Sequence, residues 1–247
     1  MQMEQTLDLI SRGRTDLIFE FLRSNGWRTL LGQGPVKPLQ WLVYYGDATA
    51  LQAVLEAGGD LSSLDLNEEL GHAAFFGHWR VCDFLLAHGA KADSCVAATG
   101  ETPLHGALAK AGRPYYLYVV KLLVEHGANV NARTIAGQET GAFMRDVRTK
   151  GETPLHRAAA YSDEATIQYL LDHGADPSAR DVHGDSPLSW ASEHLRPGSI
   201  LARLAFGPHT ISAASAQSIT SDHGAGWGTG MERKFLGEYL PQSLPRK

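Results

Sequence analysis

The side chains of this chain that could carry acid–base or metal chemistry include 11 histidines. Three of them, His88, His126 and His173, each come one residue before a glycine at the end of an apolar segment. This recurring position predicts a row of histidines at helix C-termini, where a partial positive charge is favourable. Packed helices lie about 10 Å apart, whereas the ligands of one zinc ion converge within about 2.1 Å of it. The row therefore predicts no metal site.

Residues suited to nucleophilic or acid–base catalysis are present, but they form no recognisable motif. The sequence contains no G-x-S-x-G, G-x-x-x-x-G-K, H-E-x-x-H or C-x-x-C string. Residues 221–223, Ser-Asp-His, are adjacent on one loop and are poorly placed to converge as a triad. The residues that a folded chain could still assemble for acid–base catalysis are Asp181, His183, Asp185 and Arg157. We predict no catalytic residue and no cofactor, and enzymatic activity stays open because a site built from distant residues leaves no motif.

The elements that must position these side chains are helices, as residues 151–185 illustrate. Thr153 is a good N-cap, and Pro154 suits the first helical position, where no N–H is needed. The narrow apolar stripe that follows consists of Leu155, Ala158 and Ala159. A second apolar segment, 167–171, ends shortly before a glycine that fits a helix C-terminus. One such helix pair cannot bury both of its faces, so the pattern predicts a stack of copies.

The start of this stretch recurs along the chain. T-P-L-H begins at Thr153 and at Thr102, and a related S-P-L-S begins at Ser186, about 33 residues after Thr153. This string and its period resemble the ankyrin repeat family. The resemblance implies an all-α fold, an ankyrin-repeat solenoid of about six helix-turn-helix units in one domain, 1–207. The units are expected near 5–36, 37–67, 68–101, 102–152, 153–185 and 186–207.

Two segments depart from the repeat pattern. Residues 133–150 are longer than a join between two repeats requires, which predicts an inserted finger loop. Its apolar tip and its basic residues, which could pair with carboxylates or phosphate, are Phe143, Met144, Arg145 and Arg148. The tip could equally pack on its own neighbours. Residues 208–247 form a C-terminal tail, in which 231–240 has the apolar spacing of a short helix that needs a surface to dock on.

In the ankyrin repeat family the histidine of T-P-L-H is structural, and its ring holds the turn between adjacent units through hydrogen bonds. The resemblance assigns this role to His105 and His156. Gln40, Gly71 and Ser189 stand at the equivalent positions of other units, which implies looser turns there.

The family's hairpin tips and first helices also form a concave groove that binds other proteins. The residues of this sequence at the groove-facing positions are Trp41, Tyr44, Tyr45, His72, Phe75, Phe76, Arg157 and Tyr161. Aromatic side chains bury a large area at low entropic cost, so a contiguous patch of them would mark a contact site. The alternative is that one member of each pair fills the seam between stacked repeats.

Charge, hydropathy and cysteine content indicate which classes of partner and which cellular compartment the chain fits. The formal net charge of −5 gives no argument for nucleic-acid binding. No run of about 18 apolar residues occurs, which predicts no membrane span, and residues 1–14 lack the apolar centre of a signal peptide. Cys82, on the buried side of a predicted helix, and Cys95, in a loop, predict no disulfide framework and favour a cytoplasmic location.

The main functional interpretation is a protein–protein interaction module. It would bind another protein through the groove and the finger, by burying aromatic side chains and pairing charges. The alternative is a small-molecule-binding or enzymatic ankyrin protein, with a groove pocket covered by the finger or the tail. A closed pocket of about 300 Å³ or more, lined by the aromatics, would favour that alternative. A third hypothesis is self-inhibition, in which helix 231–240 docks in the groove until a partner displaces it.

Overall fold

A computed structural model describes residues 3–31, 37–109, 115–140 and 150–206. The chain divides into one unit of Met1–Ala205 and another of Phe206–Lys247, and the description below concerns the first. Two sets of predictions lie outside the described residues. They are the finger residues Phe143, Met144, Arg145 and Arg148, and the tail 208–247 with its helix 231–240.

The described residues form α-helices joined by turns and two short 3₁₀ segments, Thr15–Leu17 and Trp27–Leu31, and they contain no strand. The helices are α1 (Met3–Ser11), α2 (Ile18–Asn25), α3 (Pro38–Tyr44), α4 (Ala48–Glu56), α5 (Leu66–Phe76), α6 (Trp79–Ala87), α7 (Pro103–Ala107), α8 (Tyr116–Glu125), α9 (Pro154–Tyr161), α10 (Glu164–Asp172), α11 (Pro187–Glu193) and α12 (Gly198–Phe206). The prediction of an all-α solenoid is confirmed.

The helices stack in two parallel series. The first helices of successive pairs, α1, α3, α5, α7, α9 and α11, each pack against the next, and so do the second helices from α2 to α10. Small residues at the seams, such as Ala73 and Ala158, are fully buried and let neighbouring helices approach closely. Most of the buried apolar residues between Ile10 and Leu204 therefore form one continuous core, as a stack of interdependent pairs requires.

The starts of the first helices follow the predicted chemistry. Thr153 takes an extended conformation before α9, and Pro154 is the first helical residue. The backbone N–H of Thr153 donates to Nδ1 of His156, 3.2 Å away. Thr102 before α7 and Ser186 before α11 begin their helices in the same way. These caps supply partners for N–H groups that a helix start leaves unbonded.

Helix α5 differs from the other first helices in length. It has 11 residues and begins at Leu66, before Glu68, where the sequence pattern places the start of the third unit. Asp65 is its N-cap and accepts hydrogen bonds from the backbone N–H groups of Asn67 and Glu68. A capping residue with no T-P-L-H string therefore starts the helix about one turn early.

Candidate functional site

Aromatic rings at the C-terminal ends of α3 and α5 form one connected group, here called the ring cluster. It consists of Trp41, Tyr44, Tyr45, Phe75, Phe76 and His78. The ring centroids are 6.2 Å apart for Trp41–Tyr45, 5.0 Å for Tyr44–Tyr45, 5.0 Å for Tyr44–Phe76, 5.3 Å for Phe75–Phe76 and 5.8 Å for Phe76–His78. These separations lie in the range of favourable stacked and edge-to-face pairs. The cluster thus joins two neighbouring helix pairs through side-chain contact.

The ring cluster is partly open to solvent. Tyr44 is 47% exposed and Tyr45 is 39% exposed, whereas Trp41, Phe75 and Phe76 are half-buried. On α3 the three aromatic residues have i, i+3, i+4 spacing, which places them on one helix face. The structure therefore combines both sequence alternatives, because the inner rings fill the seam while the two tyrosines remain at the surface.

Hydrogen bonds hold the exposed tyrosines in place. The hydroxyl of Tyr45 donates to the carbonyl oxygen of Ser11, 2.9 Å away, and so ties α3 to the end of α1. Nε2 of His78 donates to the carbonyl oxygen of Tyr44 over 2.9 Å. These two bonds fix the hydroxyl of Tyr45 and the backbone carbonyl of Tyr44.

Sequence reasoning missed three aromatic residues of this region, His78, Tyr115 and Tyr116. Tyr115 and Tyr116 pack together at 4.9 Å, and the hydroxyl of Tyr116 donates to the carbonyl oxygen of Phe75. Gly77 has φ +78°, and a Cβ atom there would lie 2.8 Å from both tyrosine rings. The glycine after α5 therefore lets these rings come close to the ring cluster. The signal in the sequence is only a glycine followed, far along the chain, by a tyrosine pair.

A polar group lies next to the ring cluster at the start of α5. Glu69 is 2% exposed, and its carboxylate accepts a hydrogen bond of 2.9 Å from Nε2 of Gln40 on α3. Nδ1 of His72 lies 3.4 Å from the other carboxylate oxygen. The hydrogen bond to Glu69 raises the pKa of His72, although partial burial opposes it. His72 itself is exposed, as the sequence predicts.

Arg157 requires a correction. The sequence places it in an open groove, but its side chain is 0% exposed and forms ion pairs with Glu101 and Glu152 at 2.6 and 2.7 Å. Its guanidinium also donates to the carbonyl oxygen of His105 and to Oγ1 of Thr140, at 2.9 and 3.0 Å. A buried guanidinium with this many acceptors is a structural group, so Arg157 is not available to a partner in this conformation.

Tyr161 requires a similar correction. It is 6% exposed, packs with Ala160 and Trp190 in a small separate core, and meets the ring of His194 edge to face at 5.1 Å. It stands outside the ring cluster. The reason is the next unit, because α11 supplies Trp190 and the residue after it supplies His194 to cover this ring. Of the predicted groove residues, those that stay at least partly exposed therefore lie in the region of α3 and α5.

The predicted role of the T-P-L-H histidines matches the geometry. Nε2 of His105 donates to the carbonyl oxygen of Glu152, and Nε2 of His156 donates to that of Asp185, at 3.4 and 3.1 Å. Each ring thus bonds to the start of the next unit. Burial lowers the pKa of both histidines, that of His105 well below its ordinary value and with the help of the nearby Arg157 charge.

Gln40 makes the same two kinds of hydrogen bond as these histidines, one within its own unit and one to the next unit. The sequence implies a looser turn there. Its Oε1 accepts from the backbone N–H of Lys37 at 3.1 Å, while its Nε2 reaches Glu69 in the next unit. A side-chain amide carries one acceptor and one donor at opposite sides, as a neutral imidazole does. Among the described residues, Ser189 bonds within its own unit, where its hydroxyl accepts from the backbone N–H of Ser186.

Asp181, one of the acid–base candidates near the other end of the stack, is structural in the same sense. Asp181 is buried and accepts hydrogen bonds from Trp190 Nε1 and from the backbone N–H groups of His183 and Asp185. Burial raises the pKa of Asp181, but these hydrogen bonds outweigh it, and the pKa stays below its ordinary value. The carboxylate holds a turn and is poorly suited to accept a proton.

Neither of two prominent depressions among the described residues is lined by the ring cluster. One of about 520 Å³ is lined by Tyr115, Leu117, Tyr118 and Lys121. The other, of about 430 Å³, is lined by Phe19, Leu22, Arg23, Ala53 and Ala57. Within the described ranges no group of His, Cys, Asp or Glu is arranged to hold a metal ion. None of the described helices has the length and hydropathy needed to cross a membrane.

Comparison with known proteins agrees with this architecture. A family model of three ankyrin repeats matches residues 39–134, and a single ankyrin repeat model matches residues 150–182. A protein of Pyrobaculum aerophilum named for its ankyrin repeats is 45% identical over 51 residues, which is 21% of this chain and 19% of that protein. Human Rabankyrin-5 is 34% identical over 96 residues, 38% of this chain and 8% of that protein.

A further relative with ankyrin repeats, from Rickettsia felis, is 33% identical over 119 residues, 45% of this chain and 44% of that protein. The chain thus matches less than half the length of each of these relatives. The similarity lies in the repeats.

Proposed function

The chain belongs to the ankyrin repeat family, and on that premise we propose that it binds a partner protein through the ring cluster. Ankyrin repeats are generally protein-interaction modules. The observation that carries the proposal is the set of touching rings with two partly exposed tyrosines, Tyr44 and Tyr45. Tyrosine and tryptophan are enriched among the residues that dominate binding energy, because they bury much area with few rotatable bonds.

The surroundings of the two tyrosines favour binding over mere packing. The inner rings are fixed by the seam, and Tyr45 is fixed by its bond to Ser11. A partner side chain placed against Tyr44 would therefore meet a rigid surface and would complete the burial of rings that are already half-covered. Such preorganised aromatic groups at the centre of a patch are typical of binding hot spots.

The inserted finger is proposed as a second contact. Its base is fixed, because the backbone N–H of Thr134 donates to the carbonyl oxygen of Glu152, and Arg157 donates to Thr140. The proposed contact residues lie between these fixed points: Phe143, Met144, Arg145 and Arg148. An apolar tip with adjacent arginines can bury area and pair with carboxylates of a partner.

Site-specific photo-crosslinking tests the proposal. The full chain is produced with Tyr44→p-benzoylphenylalanine and, as a matched control, with the same replacement at the exposed Tyr118, which lies on α8 outside the ring cluster. Both proteins are irradiated in a lysate of the source cells, and adducts are identified by mass spectrometry. We expect a distinct adduct from position 44 that is absent from position 118 and disappears on Phe76→Ala. Identical adducts from both positions, or none from position 44, would contradict the proposal.

A further inference from the structure

Residues 37–77, the segment that carries every member of the ring cluster except His78, are acidic in composition. Between positions 37 and 77 the chain has one basic residue, Lys37, and six carboxylate residues, a formal charge of −5 that equals that of the whole chain. The six are Asp47, Glu56, Asp60, Asp65, Glu68 and Glu69. The ammonium group of Lys37 is occupied, since it donates to the carbonyl oxygen of Ser63. The negative charge of the molecule is thus concentrated in the part that carries the exposed rings.

Three of these carboxylates share α5 and its cap with two rings of the cluster. Glu68 and Glu69 lie in the first turn of α5, His72 follows one turn later, and Phe75 and Phe76 end the helix. Residues at i, i+3, i+4 and i+7 lie on one face of a helix, so the face that ends in the two rings begins with carboxylates. Glu69 is held toward α3 by Gln40, while Glu68 is exposed.

The exposed rings of the cluster are not covered by a cation of this chain in its described part. Elsewhere in the stack such contacts occur, with Arg80 over Trp79 at 4.8 Å, for example. Trp41, Tyr44 and Tyr45 have ring–ring contacts but no described cation above them. Their faces carry the negative side of the ring quadrupole, and an approaching cation is attracted to it.

From this arrangement we infer that the partner presents a basic segment, in which an arginine side chain lies on Tyr44 while a second positive charge pairs with Glu68. This inference rests on the proposed function and names the chemistry of the partner. Arginine fits better than lysine, because its planar guanidinium stacks on a ring and loses less hydration. The same carboxylates repel a phosphate backbone or an acidic peptide, so the charge pattern also selects against those ligands.

A peptide selection tests the inference with defined probes. A phage-displayed library of random 12-residue peptides is selected on the immobilised full chain, and clones that also bind the Tyr44→Ala variant are discarded. The best binder is synthesised with a fluorescent label, and its affinity is measured by anisotropy. We expect the selected peptides to be enriched in arginine over the starting library and to carry at least two positive charges.

Matched substitutions in peptide and protein then locate the contacts. Replacing the most conserved arginine of the selected peptides by citrulline, a neutral side chain of the same shape, should weaken binding about tenfold, and replacing it by lysine should weaken it less. Glu68→Gln should weaken binding roughly threefold at low salt and much less at high salt. Glu20→Gln on α2 and Tyr118→Ala on α8 are the controls and should leave the affinity unchanged. Thermal melting verifies that every variant is folded.

Each outcome of the peptide experiments either supports or overturns the inference. Arginine-rich peptides that lose affinity on citrulline replacement and on Glu68→Gln support the inference. Peptides that depend on Tyr44 but carry no net positive charge would overturn the inference of a basic segment, and so would peptides that bind equally well with citrulline. Either result would still support the ring cluster as a binding surface. If no peptide depends on Tyr44, both the inference and the proposed function are overturned.

Discussion

His72 and Arg157 stand at the same position of two different units, yet the His72 side chain is 54% exposed and the Arg157 side chain is 0% exposed. The repeat directs both toward the same side of the stack. What differs is the neighbourhood, because Arg157 is enclosed by Glu101, Glu152 and Thr140 at the base of the insertion. The position within a repeat therefore sets the direction of a side chain, and the adjoining units decide whether that direction leads to solvent.

The same contrast holds for the aromatic residues at the ends of the first helices. Tyr44 and Phe76 lie where the adjoining unit leaves part of the surface open, whereas Tyr161 is covered by Trp190 and His194. The region of α3 and α5 is thus built as a surface, and the region of α9 and α11 as an additional core. Substitutions in each region should separate the two.

The largest effect is expected from Arg157→Leu. The substitution leaves Glu152, whose side chain is also fully buried, without its charged partner, which typically costs about 3–5 kcal/mol of unfolding free energy. The matched control is His72→Leu, which removes a half-exposed side chain and its 3.4 Å contact with Glu69 and should cost about 1 kcal/mol or less. Urea unfolding of both variants measures the difference.

A double variant checks the cause of that effect. Adding Glu152→Gln to Arg157→Leu removes the unpaired charge and keeps an acceptor for Thr134, so the pair should lose less stability than the two single changes together. If the losses of unfolding free energy from Arg157→Leu and Glu152→Gln simply added, the unpaired charge would not be the cause. If His72→Leu cost as much as Arg157→Leu, the two positions would not differ in their contribution to stability.

A somewhat smaller effect is expected from Tyr161→Ala. Removing this ring leaves a cavity beside Trp190 and should cost about 3 kcal/mol, whereas Tyr44→Ala removes a ring that is nearly half-exposed and should cost about 1 kcal/mol or less. Thermal melting of the two variants gives the comparison directly. Comparable losses of melting temperature would mean that the ring cluster is core, and the proposed surface would have to be abandoned.

Gly77→Ala should cause an intermediate loss of unfolding free energy. Its effect should be confined to the region of α3 and α5. A side chain at φ +78° is strained by about 1–2 kcal/mol, and its Cβ would also press on Tyr115 and Tyr116. Gly89→Ala is the control, since its φ is +102° and a Cβ there meets no atom within 4 Å. The difference in unfolding free energy between the variants isolates the ring contact. Equal losses of unfolding free energy in the two variants would indicate that Tyr115 and Tyr116 move away from the new Cβ atom without destabilising the protein.

The smallest effect near neutral pH is expected from the buried histidines of the α7 and α9 units. The pKa values of His105 and His156 are lowered by folding, so the unfolded chain binds protons that the folded chain does not. Their contribution to stability is fully present above the unfolded value of about 6.5 and is lost as the pH falls below it. Unfolding free energies measured at pH 7.5 and pH 5.5 should show this loss.

Two substitutions assign the pH dependence. His105→Gln replaces the imidazole by the amide that Gln40 uses at the equivalent position, and it should flatten the dependence between these pH values. His88→Gln is the control, because this exposed histidine bonds only to a carbonyl in its own helix, and the slope should persist. If the unfolding free energy depends on pH just as strongly in the His105→Gln, His156→Gln double variant, other groups cause that dependence.

The sequence by itself determined the helix pairs, their order and the caps that begin α7, α9 and α11. These features depend on local chemistry: a threonine or serine that satisfies free N–H groups, a proline that fits the first turn, and small residues such as Ala158 at a seam. The roles of His105 and His156 followed from the family resemblance, and in both cases the acceptor is the residue just before the cap of the next unit.

Only the tertiary structure decided which groove positions stay exposed. The burial of Arg157 depends on Glu101, which lies 56 positions away in sequence, and on Thr140 at the edge of the insertion. The ring cluster likewise needs His78 and the glycine that admits Tyr115, and no periodicity points to them. Exposure is a property of how neighbouring units fit together, and it follows from contacts between residues that are distant in the chain.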